Sequence, residues 1–285
     1  MDKFFVITNP QKDANAKTTE FIQKYLEEKG KICYVQECNT ASSGTGYKYT
    51  DATSIPDGVD CVLVLGGDGT LLQASRDLLD TGLPLLGINL GTLGYLAEID
   101  CQNIQMALDK LIEGDYSIED RMMIGGTVSY RDHILMTDIA LNDIVIARRG
   151  RLRVVDFHIF VDDVFLCSYR ADGIIVSTPT GSTGYSLSAG GPIVAPDASL
   201  ILLTALAPHT LASRPVILPD NVAVTVELAD SNVPEENTAR VVFDGDTSLS
   251  LESGSRIRIM KTEQKTRLVK IKHTSFVEIL REKLK

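Results

Sequence analysis

The sequence predicts an α/β domain over residues 1–118, a mostly β domain over residues 119–262 and a tail over residues 263–285 that returns to the first domain. Two patterns predict it. Up to about Glu119, apolar runs of strand length alternate with stretches of helical periodicity, whereas beyond it apolar residues recur at every second position. A third observation places a ligand site in the first part: a solid apolar run breaks abruptly into glycines around Asp68.

Taken in order, KFFVIT (3–8) reads as a strand, Ala14–Lys29 as a helix with Phe21, Ile22, Tyr25 and Leu26 on one face, and KICYVQE (31–37) as the next strand. Cys38–Gly58, rich in Ser, Thr, Gly and Tyr, reads as a long loop. Cys61–Leu65 is a buried parallel strand, after which Leu71, Leu72 and Ala74 begin a helix. LPLLGIN supplies another strand, and Ile104, Ala107, Leu108, Leu111 and Ile112 fall on one helical face. In the second part Phe157/Ile159/Val161, Val222/Val224/Val226/Leu228 and Ile257/Ile259 alternate as strands do, and SFVEILREKLK closes the chain as a helix.

Composition narrows the function. With 44% hydrophobic residues in 285, the chain is globular, and a net charge of -10 without any block of lysine or arginine excludes a nucleic-acid footprint or a polybasic membrane patch. The five cysteines form no C-x-x-C pair and read as reduced and structural. No signal peptide is visible, and the apolar run at 200–207 falls well short of the ~18 residues of a membrane span, so the cytoplasm is expected.

Four stretches carry the chemistry. In GGDGT, glycines Gly66, Gly67 and Gly69 permit positive φ and close approach to a ligand, and the helix that follows favours an anion such as a phosphate, which makes Asp68 a puzzle. GINLGTLGYLAE places Gly87, Gly91 and Gly94 after a strand without making a G-x-G-x-x-G fingerprint. In ALNDIVIARRG, Asn142 and Asp143 offer an amide and a carboxylate on opposite faces of a strand, or form an Asx turn. RADGIIVSTPTGSTGYSLSAGGPIV gathers Ser177, Thr178, Thr180, Ser182 and Thr183 around Pro179 and Gly181, a hydroxyl-rich wall or else a surface turn.

In this order and at these separations, these four segments resemble those of the NAD kinases, as do the NPQK loop (9–12) and PHTLASRPVILP (208–219). GGDGT by itself is shared with diacylglycerol and sphingosine kinases and, more distantly, phosphofructokinases; the segment from Thr178 to Pro192 is characteristic. The resemblance implies a Rossmann-like α/β domain of the diacylglycerol/NAD kinase type and phosphoryl transfer from ATP to the 2′-hydroxyl of the adenosine ribose of NAD. It implies that Asp68 faces that hydroxyl while Gly66, Gly67, Gly69 and Thr70 receive donor phosphates with Mg²⁺ or another divalent cation. It assigns Asn142 and Asp143 to bound NAD, Asp172 to its nicotinamide end, and Thr183, Gly184, Tyr185 and Ser188 along the dinucleotide. Arg170 stands where some members have an arginine that meets the new 2′-phosphate, sometimes across a subunit boundary, and the family implies a homodimer or homotetramer. Polyphosphate is a further donor to test. Many members have glutamate at Asp143 and alanine at Gly184.

Competing readings are weaker. A lipid kinase needs an apolar acceptor pocket that these hydroxyls do not supply, and a serine hydrolase at Ser188 lacks the G-x-S-x-G elbow because Ser186 replaces its first glycine. His209 reads as a structural histidine. A non-catalytic NAD-binding protein would not need Asp68.

Overall fold

Strands with no polar face must be covered on both sides, and the first part of the chain is built that way. The computed structural model describes residues 1–36, 50, 52–91, 94–149, 154–210, 213–229, 239–272 and 275–283, which fall into two units, Met1–Arg121 with Lys265–Lys285, and Met122–Gln264. In the first unit, β1 (Lys3–Thr8), β2 (Ile32–Val35), β3 (Cys61–Gly66) and β4 (Leu85–Asn89) form a parallel sheet in the order β2-β1-β3-β4, with the short β5 (Ile99–Asp100) beside β4. Leu268 pairs parallel with Leu85. Alternate residues feed two cores. Phe4, Val6, Leu63 and Leu65 pack with Ile22 and Leu26 of α1 (Lys17–Glu28) and Leu108 and Leu111 of α3 (Ile104–Glu113). Phe5, Ile7, Val62 and Val64 pack with Leu71 and Ala74 of α2 (Asp68–Asp77).

The first helix differs from its expected extent. It begins at Lys17 after a 3₁₀ turn, Ala14–Ala16, in which Asn15 and Ala16 have positive φ, because the Asp13 carboxylate takes the N–H groups of Thr18 and Thr19 and the Thr19 hydroxyl. Phe21, expected on the buried face, is 46% exposed and stacks on Tyr25. Ile22 and Leu26, one turn apart, carry the burial. Most of the loop expected at Cys38–Gly58 lies outside the described residues; within its described part is a 3₁₀ turn, Ala52–Ser54.

The second unit is antiparallel. Its first strands are the hairpin β6 (Ser117–Tyr130) and β7 (His133–Ala140), followed by β8 (Asp143–Arg148), β9 (Val155–Val161), β10 (Val164–Ala171) and β11 (Gly173–Ser177). After the short α4 (Tyr185–Ser188) come β12 (Leu200–Leu206), β13 (Val216–Pro219), β14 (Val224–Leu228), β15 (Ala239–Phe243), β16 (Thr247–Leu251) and β17 (Arg256–Lys270). One sheet runs β13-β12-β11-β8-β15-β16; another run of neighbours is β10-β9-β14-β17. Their inward residues, among them Ile144, Ile146, Ile174 and Val176 from the first and Phe157, Ile159, Val224, Val226, Ile257 and Ile259 from the second, form one core. The expected alternation thus lies on the core face.

After β17 the chain is tied to the first unit. Glu98 accepts the N–H groups of Ile271 (2.7 Å) and Lys272 (2.5 Å), and its other oxygen is 2.9 Å from the Lys270 ammonium. The closing helix α5 (Phe276–Lys283) starts with a capping box: Ser275 donates its N–H and hydroxyl to Glu278, whose N–H returns to the Ser275 hydroxyl. The Lys283 ammonium lies 5.3 Å from the centre of the Tyr95 ring. Cys33, Cys61, Cys101 and Cys167 are free thiols, burial pushing Cys61 up to about 12; Cys38 lies outside the described residues. No helix among the described residues is long and apolar enough to cross a membrane.

Because Glu98 serves two main-chain donors and a lysine, Glu98→Ala is expected to destabilise the protein by about 2–3 kcal/mol and to speed amide exchange at Ile271 and Lys272. Urea unfolding with hydrogen exchange checks both; unchanged protection at these two amides would exclude the tie.

Candidate functional site

The apolar strand β3 ends at Gly66, and Gly67 caps α2, so Asp68 is the first helical residue. That position resolves the puzzle of a carboxylate in an anion site, because a negative charge at a helix N-terminus is favoured. Three successive main-chain donors from the segment after β4 hold it: Tyr95 N–H reaches Oδ2 at 2.8 Å, while Leu96 and Ala97 reach Oδ1 at 3.3 and 3.2 Å. Gly94 is pressed against the same group, since a Cβ there would stand 2.1 Å from Oδ2.

The glycines of the turn do not work as expected. Gly66, Gly67 and Gly69 have no positive φ, Gly67 being extended at -143°. What two of them provide is room. A Cβ on Gly66 would lie 2.2 Å from the Thr70 hydroxyl, and one on Gly67 would lie 2.6 Å from the Lys12 ammonium. The buried Thr70 hydroxyl accepts from Asn9 Nδ2 (3.4 Å) and Gly67 N–H (3.5 Å), and Asn9 Oδ1 accepts from Gln11 N–H, which fixes the loop carrying Lys12. Lys12 and Asn9 belong to the NPQK stretch but were not separately identifiable from their spacing in sequence.

In the second unit Asn142 and Asp143 do not point to opposite faces. Asn142 lies in a bend before β8, where strand alternation does not apply, and both side chains approach Gly184: a Cβ there would be 3.5 Å from Asn142 Nδ2, 3.6 Å from Asp143 Oδ2 and 3.2 Å from Gly181 O. The main chain of Asn142 is closely held. Thr178 N–H donates to its carbonyl (2.9 Å), on which Gly181 packs so tightly that a Cβ would come within 2.0 Å. The Asp244 carboxylate accepts the N–H groups of Leu141, Asn142 and Asp143 at 2.7, 2.8 and 3.1 Å. By contrast Asn142 Oδ1 is buried and has no hydrogen-bond partner, an acceptor left for a ligand. Burial first, and the Asp244 charge second, push the Asp143 carboxyl up to about 7 against the Tyr185 N–H that favours its ionised form.

The hydroxyl-rich stretch is scaffold more than wall. Ser177, Thr178, Thr180 and Ser182 are buried; Thr178 Oγ1 donates to Leu141 O (2.5 Å), Ser182 Oγ exchanges hydrogen bonds with Val194, and Ser186 pairs with Thr204. The turn after β11 must satisfy the main chain it covers, which consumes the hydroxyls of Thr178 and Ser182, while Ser177 Oγ is buried without a hydrogen-bond partner. Thr183 is half-buried, and Tyr185 and Ser188 are exposed. Asp172 is bound by Arg148 (Nε to Oδ1, 2.6 Å), which holds its carboxyl below the usual range. Arg170 pairs with Asp156 across β10 and β9, the two side chains 66% and 43% exposed. His209 donates its main-chain N–H to Arg170 O. Arg148 and Asp244 were not among the residues expected from sequence.

Comparison with known proteins shows the family of the chain. Residues 4–116 match the family model of the ATP-NAD kinase N-terminal domain and residues 141–271 that of the ATP-NAD kinase C-terminal domain. The chain is 44% identical to the NAD kinase of Lachnoclostridium phytofermentans over 99% of both chains, and 42% identical to that of Lachnospira eligens over the whole of both. Among solved structures, an Archaeoglobus fulgidus NAD kinase in complex with ATP is 27% identical with a TM-score of 0.74, covering 99% of this chain and 98% of that one. The yeast NADH kinase complexed with NADH shares the fold, with a TM-score of 0.88 at 24% identity over 100% and 87%.

Asp143 is protonated more readily in the folded than in the unfolded chain, so the stability it contributes is fully present below the unfolded value, near 3.8, and is lost as pH rises through about 7. Asp143→Asn removes that dependence. Relative to wild type, the variant is expected to gain stability steadily between about pH 4 and 7, by of order 2–4 kcal/mol, and no further above. A difference independent of pH in denaturant titrations would refute the raised value.

Proposed function

The chain belongs to the ATP-NAD kinase family and carries NAD kinase activity, and from that premise we propose how its residues perform it. Asp68 accepts the proton of the adenosine-ribose 2′-hydroxyl, or holds that hydroxyl in line, as it attacks the γ-phosphorus of ATP. The observation that carries this reading is the state of Asp68: Oδ2 holds one N–H at 2.8 Å and keeps acceptor capacity, while three main-chain donors fix its direction. Lys12, with Gly66, Gly67, Gly69 and Thr70, meets the donor phosphates. Asn142 and Asp143, with Thr183, Gly184, Tyr185 and Ser188, bind NAD, and Asp172, fixed by Arg148, stands at its nicotinamide end.

A divalent cation such as Mg²⁺ enters this reading as part of the ATP complex, where it neutralises charge on the phosphates. No group of three His, Cys, Asp or Glu side chains among the described residues is spaced to hold a metal. We further infer a homodimer or homotetramer working in the cytoplasm.

The direct test is formation of NADP from NAD with ATP and Mg²⁺, repeated with NADH and with polyphosphate as donor. Asp68→Asn is expected to lower kcat by ~10²-fold or more with NAD still bound. Near-normal turnover would end the role of Asp68.

Arg170 is proposed to meet the 2′-phosphate of the product. Its pairing with Asp156 is solvent-exposed and screened, so a phosphate can displace it. Arg170→Ala is expected to weaken NADP binding, and NADP inhibition, more than NAD binding. Dissociation constants of both dinucleotides decide it; equal shifts would remove Arg170 from the site.

A further inference from the structure

We propose that Asp244 is a positioning residue of the NAD site, holding Asn142 and Asp143 in the geometry in which they meet the dinucleotide; this rests on the reading that those two residues bind NAD. Asp244 lies in the turn between β15 and β16 at a positive φ of 48° and ties the bend before β8 in both directions. Its N–H donates to Asp143 O at 3.0 Å, and its carboxylate takes Leu141 N–H on Oδ2 and Asn142 and Asp143 N–H on Oδ1. Leu141 and Asn142 precede the strand, so the ladder of β8 does not supply these acceptors.

Three convergent N–H donors call for a group that only accepts, which an ionised carboxylate is and an amide is not. On its other side the same main chain is gripped through Thr178, which donates its N–H to Asn142 O and its hydroxyl to Leu141 O. The backbone is thus held from both sides beneath the side-chain acceptor Asn142 Oδ1, which is buried and unpartnered. Asp244 also faces Asp143 as the acid whose charge, after burial, raises the Asp143 pKa, while the Tyr185 N–H donates to Asp143 and Asn142 Nδ2 lies beside it near Gly184. A staple with no part in positioning would leave NAD affinity where it is, although loss of its charge would still lower the Asp143 pKa.

The test measures NAD and ATP dissociation constants between pH 5.5 and 8.5 for wild type, D244N and N142A, with thermal unfolding to establish folding. D244N keeps the turn, since asparagine tolerates positive φ, but loses the charge and part of the acceptor capacity. Expected are an NAD affinity about tenfold weaker, an ATP affinity within about twofold, and a midpoint for the pH dependence of NAD binding lower by about one unit, because removing a like charge lets Asp143 ionise more easily. If N142A weakens NAD while D244N leaves affinity unchanged, the positioning role is overturned and the binding reading stands. If N142A leaves NAD affinity unchanged, the binding reading fails and the inference with it. Should D244N not fold, D244E decides in its place: weaker NAD binding at an unchanged midpoint supports positioning, and unchanged affinity overturns it.

Discussion

A main-chain N–H withdrawn from water must find an acceptor, and where the chain leaves regular structure a side chain has to supply it. Twice in this protein one aspartate supplies it for three successive residues, Asp68 for residues 95–97 and Asp244 for residues 141–143. Hydrogen bonds to a charged acceptor are worth ~1.5–3 kcal/mol each, so each cluster can hold an irregular segment as firmly as a strand pair would. Glycine follows from the same constraint. Gly94 lets its segment close on Asp68, and Gly181 lets the hydroxyl-rich turn close on the Asn142 carbonyl.

The two aspartates use the constraint differently. Asp68 is itself the candidate reacting group, and its bonds to the main chain aim it without exhausting its oxygens. Asp244 serves the main chain, at the cost of a like charge beside Asp143. Burial and that charge together bring Asp143 close to neutrality in pH, a sensitivity that neither a lone carboxylate on the surface nor an amide would have.

An acidic protein that handles phosphates needs its cations placed one at a time. Lys12 lies over Gly67, Arg148 is spent on fixing Asp172, and Arg170 sits in an exposed pair with Asp156. The buried hydroxyls of Thr178 and Ser182 show the complementary economy: residue types suited to ligands are used to satisfy covered backbone, while Thr183 is half-buried and Tyr185 and Ser188 are exposed.

Sequence alone determined the α/β character of the first part and the β character of the second, because continuous apolar runs and period-two alternation are local signals, and it singled out Asp68, Asn142 and Asp143 as candidates but not Asp244. The resemblance carried by GGDGT and by the segment from Thr178 to Pro192 supplied the reaction. The tertiary structure decided what local patterns cannot encode. That Phe21 faces solvent while Ile22 and Leu26 are buried depends on which face of α1 packs on the core. That Asn142 and Asp143 converge depends on a bend held by Asp244, a hundred residues away. That the carboxylate of Asp68 is at home at a helix N-terminus depends on Tyr95, Leu96 and Ala97 arriving from beyond another strand. Each is a long-range pairing of a donor with an acceptor or of one apolar face with another, and spacing along the chain carries no record of such pairings.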